Sequence, residues 1–483
     1  MTLAKEFLWL EIIRVIQGGM GVKVSDFLLA REVSKRGGLG TVSGVAVWVV
    51  MARTLQNGDP GGHFRMALSH FPFPELAKEI LDTYFVENGI RKGEQFKNVP
   101  APSLEPSRSL IGLMAAASFC FVWLAKHNDD GSPHGFPIST NYLEKMQMPL
   151  IFSIFGAMLA SVDCITIGAG IADQVPGILD RFALGQPSDY RVVVEGLVGG
   201  RIISFNPREF FGSDIPKLIR PAFLPIISSN LLAEVFCGRR QTGLVQGFVV
   251  EKDKAGGHNA LPRGKPIILN ELQEPVYGPR DEVDPIKLKK LGLPFWLGGA
   301  MASPEALKQA IADGANGIQV GTAFAFCEES GLVPGLRNQA KSLGFQKKLQ
   351  TLVRLKVSPT GFPFNVAELE GTLSSAKVYD SRERVCDLCC LRVPYLRPGG
   401  EIGYRCKAEP TEQFVKKGGR LEDTEGACCL CNGLLSTCGF GGPNEPPIVT
   451  LGRNVEFLSR LMKHKDDSYS AGDVMNYLLG KQA

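Results

Sequence analysis

Short apolar runs rich in β-branched residues recur along roughly the first 330 residues, and stretches with helical spacing separate most of them. Parallel strands need crossovers of about a dozen residues or more, so this alternation dictates a parallel α/β fold. The runs read as strands at Ile12–Gln17, Leu39–Gly44, Gly135–Asn141, Cys164–Gly168, Phe223–Ser229, Val245–Val250, Phe295–Gly299 and Gly317–Gly321. Eight strands alternating with helices close more naturally into a barrel than into an open sheet, which predicts a (β/α)8 TIM barrel. Helix starts support the reading. Val24–Arg36 opens with Ser25 as a cap, and Ser303–Asp313 opens with Ser-Pro-Glu, a cap followed by proline in the first turn.

Two gaps are too long for barrel loops. Residues 58–134 hold an apolar stretch, Leu110–Leu124, that reads as an extra helix, and residues 190–220 read as an inserted hairpin. After about residue 345 the rhythm stops, and Gly, Pro, Cys and Arg dominate up to a short helix near Val455–Lys463. The expected organisation is a barrel over 1–344 and a Cys-rich C-terminal extension over 345–483. Net charge is +4 with both signs mixed, too weak to argue for nucleic acid. The N-terminal residues lack the pattern of a signal peptide. The richest apolar run, Val42–Ala52, is short for a bilayer, so no membrane partner and a cytoplasmic location are expected.

Glycines mark the strand ends, where a barrel places its chemistry. The first strand runs into Gln17-Gly18-Gly19-Met20-Gly21, either a tight turn or a side-chain-free wall for a flat ring. The last two strands end in Gly298-Gly299-Ala300 and Val320-Gly321-Thr322, the usual place for a phosphate held by backbone N–H groups, with the Thr322 hydroxyl as a further donor. His258 follows Gly256-Gly257 beyond the sixth strand, where a neutral imidazole can take a proton or donate a hydrogen bond. A loop-capping histidine is the plainer reading of that residue alone. His63 and His70 fit an amphipathic helix, and Arg280-Asp281-Glu282 a solvated charge run.

The motifs IQGGMG at the first strand, AGGH at 255–258 and GGAMASPEALKQAIADGANGIQVGTAFAFCEES at 298–330 together resemble the nitronate monooxygenase (2-nitropropane dioxygenase) family. That family includes flavin-dependent enoyl-ACP reductases and reductase subunits of polyunsaturated fatty-acid synthases. The likeness spans about residues 10–340. It implies FMN at the barrel mouth. Gly18, Gly19 and Met20 would border the isoalloxazine ring, and Asn141 would contact the flavin. Gly298, Gly299, Gly321 and Thr322 would hold the phosphate, Gly256, Gly257 and Ala300 would join the cofactor-binding set, and His258 would be the active-site histidine. Gln-Gly-Gly-Met replaces the Pro-Met element common in small nitronate monooxygenases and is closer to the reductases. The 58–134 insertion and the C-terminal extension are absent from the smaller members.

Eight of the 12 cysteines lie between Cys386 and Cys438, without a histidine among them. Such density predicts an all-thiolate iron–sulfur cluster, or zinc, on Cys386, Cys406, Cys429 and Cys431, with Cys389, Cys390, Cys428 and Cys438 as alternates. Buried structural thiols are the competing reading. No dinucleotide fingerprint follows a strand, so FMN is expected in place of FAD. The expected activity is FMN-dependent oxidation of a nitronate or similar carbon acid, or oxidation of NAD(P)H. An enoyl-thioester reductase, an accessory subunit serving an electron-transfer partner, and a flavin-free phosphosugar barrel are the alternatives. The substrate is a small molecule, and the exposed barrel helices are compatible with a homodimer.

Overall fold

The computed structural model describes residues 3–238, 241–442 and 446–481. Eight parallel strands carry the barrel: β1 (Val15–Gln17), β2 (Gly40–Ser43), β3 (Ile138–Leu143), β4 (Cys164–Gly168), then, after the hairpin β5 (Ser188–Val194) and β6 (Leu197–Phe205), β7 (Ala222–Ile227), β8 (Phe248–Glu251), β9 (Phe295–Gly298) and β10 (Gly317–Val320). Their order is β1-β10-β9-β8-β7-β4-β3-β2. Main-chain bonds between Gln17 and Leu39 (3.0 Å) and between Leu39 and Val15 (2.9 Å) join β1 to β2 and close the ring. The expected (β/α)8 barrel is the observed fold.

Element edges differ from expectation for local reasons. Ile12 belongs to a 3-10 helix, Lys5–Ile12, not to the first strand. Phe7, Leu10 and Ile13 pack with Leu224, Val249 and Trp296 as a plug at the N-terminal end of the barrel. The first barrel helix is Phe27–Lys35 and its cap is Asp26, which accepts the Phe27 N–H. Ser25, the expected cap, is instead spent on bracing the β1 loop. The helix Pro304–Ala312 does begin on Ser303, whose side chain accepts from the Ala306 N–H.

The insertion after β2 holds the helices His63–Ser69, Pro74–Tyr84 and Arg108–Lys126. The last is long and apolar enough to cross a membrane, contrary to the reading of the sequence, but 83% of its apolar window is buried inside the protein. It packs against the helix Gln147–Leu159 so closely that a Cβ at Gly156 would lie 2.0 Å from the Ala115 carbonyl oxygen. Small side chains at Ala115–Ala117 permit that approach. The expected hairpin is β5–β6, antiparallel with a register shift near Val192–Val194.

Beyond the helix Pro334–Phe345 the chain forms two more hairpins, β11 (Thr351–Arg354) with β12 (Phe364–Ala367) and β13 (Val393–Leu396) with β14 (Ile402–Arg405). Leu369, Leu373, Leu435, Ile448, Leu451 and Leu458 from this region share one buried core with the barrel. The helix expected near Val455–Lys463 shrinks to Leu458–Leu461, and a longer one, Ala471–Leu478, follows it with a capping box on Ser470 and Asp473.

Candidate active site at the barrel mouth

Gln17, fully buried, sets the geometry after β1. Its amide donates to Ser25 Oγ (2.8 Å) and the Thr41 carbonyl (3.0 Å), and its carbonyl accepts the Thr41 N–H (3.0 Å). Ser25 Oγ donates to the Gly18 carbonyl (2.7 Å) and accepts the Met20 N–H (2.9 Å), which locks the loop that follows. Gly19 lies so close to β3 that a Cβ there would come 2.1 Å from Asn141 Cβ. Asn141 in turn donates to the Gly19 carbonyl (3.2 Å) and accepts from Thr166 Oγ1 (2.8 Å).

Across the mouth, β9 and β10 end in a backbone anion cradle. Among the described residues, the amide N–H groups of Gly299, Ala300, Gly321 and Thr322 have no acceptor. Gly299 (φ +93°) and Ala300 (φ +57°) turn the chain left-handed here. Successive free N–H groups make an anion-binding concavity. Thr322 Oγ1 accepts the Gly452 N–H (2.8 Å) and keeps its own proton for another partner.

The register places Glu251, Gly298 and Gln319 side by side at the ends of β8, β9 and β10. Gly298 contributes no side chain between its neighbours. Among the described residues the buried Gln319 Nε2 has no hydrogen-bond partner, and the Glu251 carboxyl has neither hydrogen bond nor ion pair. Burial pushes the Glu251 carboxyl up to about 8. It is therefore mostly a neutral acid at neutral pH.

His258 sits on a loop held by the C-terminal region. Gly257 donates to Thr450 Oγ1 (2.8 Å), and Asn365 donates from its amide to the Ala255 carbonyl (2.7 Å) and from its backbone to the Gly257 carbonyl (2.9 Å). The His258 ring meets Phe364 edge-on at 4.8 Å, and its Nε2 lies 2.7 Å from Ser358 Oγ. Burial, then the positive charge of Lys145, pulls the imidazole down to about 4, so it is neutral at neutral pH. Its remaining exposure is toward the cavity.

Gly18, Gly19, Met20, Asn141, Gly256, Gly257, His258, Gly298, Gly299, Ala300, Gly321 and Thr322 all line one cavity, with about 1540 Å³ of empty space counting its open side. Sequence reasoning missed Glu251, Gln319 and the C-terminal contributors Phe364 and Val449–Gly452, which line the same cavity. A carboxylate at a strand end was the available signal for Glu251; nothing local marked the others.

The cysteine-rich region behaves differently. Cys386, Cys406 and Cys429 pack with Ala408 and Ala427 in a small cluster, whereas Cys390 and Cys431 belong to the main core. Cys438 donates to the Val22 carbonyl (2.8 Å). No disulfide joins any of these thiols. Among the described residues, no group of three or more His, Cys, Asp or Glu could hold a metal ion. Hydrogen bonds among neighbouring thiols, then burial, raise Cys386, Cys389 and Cys431, and burial pushes Cys428 up to about 11 and Cys438 up to about 12, all toward the protonated form. None of the eight lines the cavity. No chemical step is assigned to an iron–sulfur cluster or to zinc.

No family model and no curated protein matches the sequence. Solved structures with detectable likeness include FabK from Thermotoga maritima (14% identity, 99% of this chain and 96% of that chain, TM-score 0.45). Nitroalkane oxidase from Streptomyces ansochromogenes is similar at 12% identity, over 97% of this chain and 95% of that one, with a TM-score of 0.44. The enoyl reductase domain of MlnA, from the macrolactin biosynthesis cluster of Bacillus amyloliquefaciens, gives 11%, 97%, 94% and 0.45 in the same order. Likeness this distant leaves activity to be read from the chain's own residues.

Proposed function

We propose that the chain is an FMN-dependent oxidoreductase of the nitronate monooxygenase type, which oxidises a nitronate or similar carbon acid or takes electrons from NAD(P)H. The observation that carries this reading is the pairing, across one cavity, of four acceptor-free amides with a neutral histidine. The cavity lies between these two sets of groups, so a flat cofactor and a small substrate placed in it would touch both. The amides of Gly299, Ala300, Gly321 and Thr322 suit a phosphate monoester, and the unpartnered Gln319 amide offers a donor to a ring or ribityl oxygen. Gly18, Gly19 and Met20 present backbone, with Asn141 behind them, as a wall for a planar ring.

When bound, FMN supplies the electron-accepting chemistry that no side chain here can provide. The chain's own work is to exclude water, orient the substrate and move a proton. His258 moves it: a neutral imidazole can accept at a bare ring nitrogen without first losing a proton. Glu251, held neutral, keeps a fixed negative charge away from a developing carbanion.

The test is mass analysis of the cofactor released from purified protein, followed by stopped-flow reduction with a nitronate and with NAD(P)H. FMN near one per chain, reduced by one of the two donors, is the expected result. Stoichiometric FAD, or a colourless protein that takes up no FMN, overturns the reading.

A further inference from the structure

His258 presents a physical difficulty. Half-buried at the cavity wall, the imidazole resists becoming a cation, first through burial and then through Lys145 nearby. Lys145 is itself held beside Glu144 (3.6 Å) and over the Phe362 ring (4.7 Å). A proton arriving on the ring therefore needs another to leave.

The C-terminal region supplies an exit. His258 Nε2 lies 2.7 Å from Ser358 Oγ, and Ser358 Oγ lies 2.7 Å from Thr360 Oγ1. Ser358 is buried, Thr360 is partly exposed, and Gly361 is exposed. The line of polar groups thus runs from the cavity wall to the surface. Ser358 Oγ also accepts the Thr360 N–H (3.3 Å), which holds the two hydroxyls together. Among the described residues, His258 Nδ1 has no hydrogen-bond partner, so it is the ring nitrogen left for a bound molecule.

We propose that Ser358 and Thr360 are positioning residues that form a proton path between His258 and solvent, behind the cavity. This rests on the reading of His258 as the acid–base group. In the outward direction a substrate C–H bond breaks, its electron pair stays on carbon, and the proton bonds to Nδ1. The Nε2 proton passes to Ser358 Oγ, the Ser358 proton to Thr360 Oγ1, and the Thr360 proton to water. One proton enters the ring and one leaves, so the imidazole stays neutral and only its tautomer changes. The same moves run backward when Nδ1 returns a proton to an anionic product. The two hydroxyls support either tautomer, because reversing both O–H directions keeps every contact satisfied.

The experiment uses the full chain loaded with FMN, as wild type, Ser358→Ala, Ser358→Thr and Thr360→Val. Nitrogen-15 spectra of labelled histidine measure exchange of the His258 Nε2 proton with solvent, independently of turnover. The path predicts at least about tenfold slower exchange in Ser358→Ala, near-normal exchange in Ser358→Thr, and slowed exchange in Thr360→Val. Turnover should fall in step, and added imidazole should restore it in Ser358→Ala while leaving wild type unchanged. Unchanged exchange in both Ser358→Ala and Thr360→Val overturns the proposal, as does a slow Ser358→Ala rescued neither by imidazole nor by Ser358→Thr. Failure of wild type itself to hold FMN overturns the functional reading instead.

Discussion

Replacing Glu251 by glutamine removes one ionisation from the cavity wall while keeping shape and hydrogen-bonding capacity. The carboxyl is held from 4.5 up to about 8 by burial alone, with no partner to compensate. The sign follows from linkage. Between those values the folded protein keeps a proton that the unfolded chain has released, so stability is lost as pH rises from about 4.5 and levels off above about 8. This is opposite to an ion-paired carboxylate. Across that window each pH step of one is worth about 1.36 kcal/mol, and integrating gives a cost of about 1 kcal/mol near pH 5 and about 4 kcal/mol near pH 8. Glutamine has no such pH-dependent cost. The stability of Glu251→Gln relative to wild type should therefore improve by about 3 kcal/mol between those two conditions. Urea unfolding of both proteins, cofactor-free, at four pH values from about 5 to 8 measures it. A difference that stays flat across the series would show that the carboxyl ionises normally, and would refute the description of this wall as uncharged.

His258→Ala should slow donor-dependent flavin reduction by about 10²–10⁴ while FMN stays bound, and an unchanged rate would remove His258 from the chemistry. Gly19→Ala forces a methyl to within 2.1 Å of Asn141 Cβ. Backbone must move, at about 1–3 kcal/mol for an overpacked site, and FMN affinity measured by flavin fluorescence should fall at least about tenfold. Asn365→Ala leaves the Ala255 carbonyl without its 2.7 Å donor. Losing that bond costs about 1–3 kcal/mol locally, so hydrogen exchange at residues 252–260 should rise; unchanged exchange would mean the loop is held elsewhere.

The barrel was legible because its signals are local. Cys164–Gly168 is a strand in sequence and in structure alike, and Ser303 caps the helix that its Ser-Pro-Glu start announces. Strand-end glycines and His258 were legible for a related reason: a barrel converts position at the end of a strand into position at the mouth. What stayed hidden depends on contacts distant in sequence. Ser25 and Asp26 are equally good caps by type, and only the need to hold Gly18 and Met20 assigns Ser25 elsewhere. Ser358, Asn365, Thr450 and Gly452 reach the cavity loops from about 100 to 193 residues away, and no periodicity marks them. The cysteine density reads as a metal centre; in the structure Cys390, Cys428, Cys431 and Cys438 join the main apolar core, while Cys386, Cys406 and Cys429 gather in a small cluster of their own.

The seat of Gly452 on Thr322 has a consequence for how the protein is made. These two residues meet across the mouth but leave the ribosome 130 positions apart. At about 5–20 residues per second, Thr322 waits roughly 6–26 s for Gly452. Until Gly452 is seated, the Thr322 side of the cradle lacks this neighbour. A chain ending between those two positions would contain all eight barrel strands in its sequence but not the Gly452 contact.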